Sequence, residues 1–154
     1  MLRVKSYKQS PSFCGPACLK MVLEYYGIKK SEAELAKSAK TSLKFGTSAK
    51  NVLNVGKRLG LKGFIKDYAD INGLKEFVLK KKVPVIVNWF SQDEGHYSVV
   101  VGIDEKNIHL MDPEFGKRRT MDLVTFKRVW FDFHPAFLHS QKDLVIRRMI
   151  VLYK

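Results

Sequence analysis

A cysteine followed at once by glycine and proline, Cys14-Gly15-Pro16-Ala17, stands directly before an amphipathic stretch, with Gln9 five residues upstream. A thiol at a helix N-terminus meets the positive end of the macrodipole and unpaired backbone N–H groups, both of which favour thiolate. Gly15 is expected to let a substrate carbonyl approach the main chain. The Cys14 N–H then points to where a tetrahedral oxyanion develops, and the Gln9 amide is a candidate second donor. The chemistry of such an arrangement is acyl transfer through a covalent thioester.

A nucleophilic thiolate needs a base, and the chain has four histidines. His96 opens the apolar run HYSVVVGI after the polar segment 91–95, so its ring is expected at a cleft edge. His109 lies within the strand-like NIHLM, and His134 and His139 fall in a late loop. These three read as surface or satisfied histidines. Asp112, sixteen residues after His96, is the candidate for holding the imidazole tautomer. Strand parity decides whether it can. An odd hairpin loop centred on Glu105 sets Asp112 opposite Ser98, on the His96 face, whereas an even loop turns it away. Asp112-Pro113 is also a turn opener, and the two roles are compatible.

The elements that must position these groups follow from pattern. Pro16 suits a first helical turn and Gly27 a stop, with Ala17, Met21 and Tyr25 on one stripe and Cys18 and Val22 beside it. Ser31 with Glu34 reads as a capping box for a short helix to about Ala39. A third helix spans about Ser48 to Leu59, ended by Gly60. A short strand is expected at Leu61–Lys66 and a helix near Ile71–Lys80. Val83–Phe90 reads as a buried strand and Tyr97–Ile103 with Asn107–Met111 as a hairpin. A helix is expected over Thr120–Phe131, with Leu123, Phe126, Val129 and Trp130 on one side, and a final strand over Asp143–Tyr153. Helices first and a largely antiparallel sheet second is an α+β arrangement in a single domain, 1–154.

Bulk properties narrow the function classes. The 154 residues are 45% hydrophobic and 28% charged, as in soluble globular proteins. No apolar run reaches the ~18 residues of a membrane span, and the N-terminus lacks the apolar core of a secretory signal, so a cytoplasmic location is expected. The net charge of +13 favours anionic partners, acidic peptides among them. The basic groups Lys80-Lys81-Lys82 and Lys117-Arg118-Arg119 are short and lack interleaved aromatics, which speaks against nucleic acid as the main partner. Cys14 and Cys18, four apart on one helix, suit neither a disulfide nor a zinc site. No metal and no organic cofactor is expected.

The runs KQSPSFCGPACLKMVLEYYG, GHYSVVVGID and MDPEFG together resemble peptidase family C39, whose members have a papain-like fold and include peptidase domains of bacteriocin exporters and standalone relatives. The resemblance extends from about residue 5 to the last strand. It implies Cys14 as nucleophile, His96 as general base and acid, Asp112 as orienter and Gln9 as oxyanion donor. It also implies core roles for Phe126 and Trp130 and a packing role for Cys18. Phe13 departs from the aspartate common in transporter-linked members, and no transmembrane or nucleotide-binding segment follows. The resemblance therefore implies a cysteine peptidase acting on peptide or protein substrates in extended form, with any separate transporter partner left unspecified. A thiol acyltransferase or amidase on the same scaffold and a non-catalytic peptide-binding module are the other readings.

Overall fold

The computed structural model describes residues 1–154 apart from residue 135. Three helices come first: α1 (Cys14–Tyr25), α2 (Glu32–Ser38) and α3 (Ala49–Arg58). Their ends follow the local chemistry. Ser31 accepts from the Glu34 N–H and Ser48 from the Asn51 N–H, satisfying donors in each first turn. The Glu34 carboxylate bonds the Ser31 hydroxyl rather than a backbone N–H, so only half of the expected capping box forms. Gly27 and Gly60 end α1 and α3 at φ +82° and +101°, a region that side chains with a Cβ enter only at a cost.

A six-stranded antiparallel sheet follows in the order β1-β8-β2-β3-β4-β5. Its strands are β1 (Lys62–Lys66), β2 (Val85–Ser91), β3 (Glu94–Ile103), β4 (Asn107–Asp112), β5 (Lys117–Asp122) and β8 (Arg148–Tyr153). Between β1 and β2, helix α4 (Ile71–Lys75) relaxes into a π turn over Glu76–Lys80, closed by the Lys81 N–H on the Glu76 carbonyl. A short helix α5 (Leu123–Val129) follows β5, and β6 (Phe131–Phe133) with β7 (Leu144–Ile146) forms a separate two-stranded ribbon.

The sheet buries both faces. Ile86, Tyr97, Val99, Ile150 and Leu152 pack against α1–α3. Val85, Val87, Trp89, Val100, Leu110, Met149 and Val151 pack against α4 and α5. The α+β arrangement is as expected, with helices on both faces rather than only N-terminal ones. Phe126 and Trp130 are core residues, 0% and 2% exposed, with ring centroids 5.1 Å apart.

Two elements differ from expectation. The helix expected over residues 120–131 is divided: β5 runs to Asp122, whose carboxylate caps α5 at the Thr125 N–H. The expected final strand breaks at Arg147, which adopts φ +46° and donates its Nε–H to the Ala69 carbonyl. The break sends β7 to pair with β6, while β8 inserts between β1 and β2.

Candidate active site

The loop ahead of α1 is held from two sides. The buried Glu32 carboxylate of α2 accepts from the Ser10 N–H and hydroxyl, and the Ser12 hydroxyl donates to the Leu43 carbonyl. Ser12 takes the left-handed conformation at φ +68°, which turns the chain into α1 with Cys14 as its first residue. The N-cap, Phe13, offers no side-chain acceptor, so no capping side chain covers the first N–H groups. Gly15 has a packing reason not anticipated from sequence. A Cβ there would lie 2.8 Å from Cβ and 2.9 Å from Oγ1 of Thr47, so glycine lets α1 pack against that loop. The Thr47 carbonyl in turn accepts from the Tyr97 hydroxyl of β3.

His96 is the third residue of β3 and is 5% exposed. Its Nε2 lies 2.7 Å from Oδ1 of Asp112, itself fully buried at the end of β4. That bond leaves Nδ1 as the ring nitrogen for Cys14, whose side chain lies within hydrogen-bonding reach of His96. Burial opposes a charge on the imidazole. Hydrogen bonds to Asp112 and Cys14, and the negative charge those groups can carry, outweigh it and push His96 up to about 10. Burial likewise opposes the Asp112 carboxylate, but bonds from His96, Arg119 and the Glu114 N–H hold it below its ordinary value.

Asp112 reaches His96 by a route the hairpin loop alone forbids. The loop between β3 and β4 is even: Ile103 faces Ile108 and Gly102 faces His109. Beyond Gly102 the register shifts, so that Val100 faces Leu110 and Val99 faces Met111. Val101 is thus an extra residue in β3, a β-bulge, and its carbonyl accepts from the Leu2 N–H at 2.8 Å. One step further along that register lies Ser98 opposite Asp112, the pairing that an odd loop would have produced. Asp112 also accepts from the Glu114 N–H at 3.0 Å, so it opens its turn as well.

The sequence reading missed three neighbours. Arg119 of β5 donates Nη1–H to Oδ2 of Asp112 at 2.7 Å. Its guanidinium lies over the Phe115 and Trp89 rings, 4.7 and 5.8 Å from their centroids. Trp89 stands edge-on to His96 at 5.7 Å and donates to the Ser98 hydroxyl. Arg119 lies in a basic triplet beside a stretch expected to be helical, and KRRTMD, with Met121 as its one apolar residue, carries no strand alternation that would have pointed to it. Gln9 is brought to the same corner, its N–H on the Pro113 carbonyl at 2.8 Å. Its Nε2 donates to the Ser10 carbonyl, and its Oε1 is buried without a partner among the described residues.

Cys18 is fully buried as a free thiol; burial first, then the nearby Cys14 and Asp112, pushes it well above the usual range. His109 is satisfied by Thr120 and Asp104. Among the described residues, one group of three could share a cation: His96, Asp112 and Glu114, with ligand atoms within 4.8 Å. The Arg119 guanidinium already supplies positive charge to Asp112 there.

A sequence model of the peptidase C39 family matches residues 4–134. The chain belongs to this family. It is 34% identical over 125 residues to an uncharacterized protein of Methanothermobacter thermautotrophicus, covering 79% of this chain and 80% of that one. It is 32% identical over 120 residues to the transport/processing ATP-binding protein ComA of Streptococcus pneumoniae, covering 76% of this chain but 16% of ComA. Among solved structures, the peptidase domain of Streptococcus ComA superposes with a TM-score of 0.76 at 25% identity, covering 98% of both chains. A C39-like peptidase from Bacillus anthracis gives 0.77 at 17% identity, covering 99% of this chain and 95% of that one. The fold of this C39 chain is accordingly that of the papain-like C39 peptidase domains. No helix among its described residues is long and apolar enough to cross a membrane.

Proposed function

We propose that this C39 chain is a cysteine peptidase in which Cys14 is the nucleophile, His96 the general base and acid, and Asp112 the residue that orients His96. The observation that carries the reading is the buried His96–Asp112 bond of 2.7 Å, with Cys14, the first residue of α1, within hydrogen-bonding reach of the same ring. In the resting pair the proton resides on His96, which its neighbours hold in the charged form. The Cys14 sulfur attacks the scissile carbonyl and forms a C–S bond, and the carbonyl oxygen becomes an oxyanion beside the first N–H groups of α1. Collapse of this intermediate breaks the C–N bond as His96 transfers its proton to the leaving amine. His96 then takes a proton from water, whose oxygen displaces sulfur and releases the acid.

Gln9 is the second oxyanion donor in this scheme. Its Oε1 marks a buried position with no hydrogen-bond partner among the described residues. Presenting the N–H2 group there requires the side chain to rotate away from the Ser10 carbonyl, because a simple exchange of its two terminal atoms would set Oε1 against that oxygen.

The substrate class is an extended peptide. ComA is named a transport/processing protein, and one structural relative is a double glycine motif protease bound to a leader peptide. The excess of 28 Lys and Arg over 15 Asp and Glu favours acidic peptides for this chain. The test is alkylation by iodoacetamide near neutral pH. Cys14 is expected to react faster than free cysteine and to lose that advantage in His96→Ala; equal rates for Cys14 and free cysteine defeat the assignment. Rapid labelling without cleavage of any peptide would move the reading to a thiol acyltransferase or amidase.

A further inference from the structure

Asp132 has no part in the chemistry above, yet it is a carboxylate only 4% exposed. Burying such a charge is costly unless partners compensate. Among the described residues its one ion-pair partner within 4 Å is His134, at 3.7 Å and on an imidazole that is 74% exposed, while the Arg148 guanidinium, itself paired to Asp67, is near enough to feel its charge. The close bonds of Asp132 are instead to neutral donors: the Phe133 N–H on Oδ1 at 2.7 Å and the Asn88 amide on Oδ2 at 3.1 Å. Gly95, the residue before His96, leaves the room for this carboxylate, since a Cβ at Gly95 would fall onto it.

Asn88 links this charge to the active site. It is 3% exposed on β2, opposite Tyr97 in the β2–β3 register. Its Nδ2 donates one hydrogen to Asp132 and the other to the main-chain carbonyl of His96, at 3.3 Å. Both partners are acceptors only, so the amide is fixed in one orientation. His96 lies three residues from the β2–β3 turn at Gln92-Asp93, where ladders fray most readily.

We propose that Asp132, acting through Asn88, is a positioning residue that pins the β3 backbone at His96 and so sets the imidazole between Cys14 and Asp112. The proposal rests on the assignment of Cys14 and His96 above. Around the imidazole stand Cys14 from α1, Asp112 and Glu114 from β4 and its turn, Arg119 from β5 through Asp112, and the Trp89 ring from β2. Asp132 reaches it through none of these. A displacement of ~1 Å at such a site can slow chemistry on the order of a hundredfold.

The test measures iodoacetamide alkylation of Cys14 from pH 5 to 9, with Cys14→Ser as blank. Asp132→Asn keeps the shape, but an amide has one acceptor atom where the site presents donors to two. We expect Cys14 in this variant to react on the order of tenfold slower at pH 7, with its profile moved towards that of free cysteine. Gly95→Ala displaces the carboxylate without removing its charge and is expected to act in the same way if Asp132→Asn fails to fold. Leu74→Ala, in the core around α4, controls for lost stability and should leave the profile unchanged. The exchange Asn88→Asp with Asp132→Asn keeps a bond between the two positions but removes the donor to the His96 carbonyl, so it should not rescue. Full rescue by the exchange, or a wild-type profile in Asp132→Asn and Gly95→Ala, overturns the inference alone. A wild-type Cys14 no faster than free cysteine overturns the assignment beneath it, and the inference falls with it.

Discussion

Replacing Asp112 by asparagine keeps the shape at the end of β4 and removes the charge that faces His96. Burial alone would favour a neutral imidazole, yet His96 is raised from 6.5 to about 10. At about 1.4 kcal/mol per pH unit, that rise corresponds to roughly 5 kcal/mol in favour of the charged form. Asp112 and Cys14 supply it, with the Asp112 bond the largest raising contribution. Cys14→Ser isolates the Asp112 share by removing the titrating thiol. In Cys14→Ser the His96 ring should still titrate above 6.5, whereas in Cys14→Ser/Asp112→Asn burial dominates and the ring should titrate below 6.5. Nitrogen-15 NMR of the imidazole against pH reads this directly. Stability gives the same answer with opposite slopes. A folded-state value above the unfolded 6.5 stabilises fully below pH 6.5, and the contribution is lost as pH rises towards the folded value. A folded-state value below 6.5 reverses this, and stability increases as pH rises through it and on to 6.5. A ring that still titrates above 6.5 in the double variant would refute the claim that the Asp112 charge holds His96 protonated.

Three further outcomes follow from the same structure. Gly15→Ala places a Cβ 2.8 Å from Thr47 and should lower stability by about 1–3 kcal/mol in denaturant unfolding. Arg119→Gln removes one ionic partner from a fully buried carboxylate; because the arginine is 34% exposed, the expected loss is about 1–2 kcal/mol by the same assay. If the +13 charge steers acidic peptides, their turnover should fall between low and high salt while that of a neutral peptide holds; a salt-independent rate would defeat the steering idea.

The helical half was legible because its signals are local. Ser31, Ser48, Gly27 and Gly60 act within a turn of where they stand, and Cys14 follows from the helix start it occupies. The meeting of Asp112 with His96 was legible only as a condition on parity. An even loop and a bulge at Val101 each reverse the face, and together they restore it. Gly102, next to the bulge in an otherwise β-branched run, was the available hint, because a glycine inside a strand often marks one. Asp132 was obscured because it follows directly on a stretch expected to be helical, and its role depends on Asn88 forty-four residues earlier. The insertion of β8 between β1 and β2 has no local signature; it depends on pairing between Val85 and Val151 and between Phe64 and Val151, contacts that only the assembled sheet creates.

Peptide-bond cleavage by Cys14 is the activity on which the proposed function stands. Incubating the chain with an unbiased peptide library, beside Cys14→Ala, and reading the products by mass spectrometry tests it most directly. New peptide termini should appear with the wild-type chain and vanish with Cys14→Ala. Termini that appear equally with both proteins, or no cleavage by a wild-type chain whose Cys14 is rapidly alkylated, would contradict it.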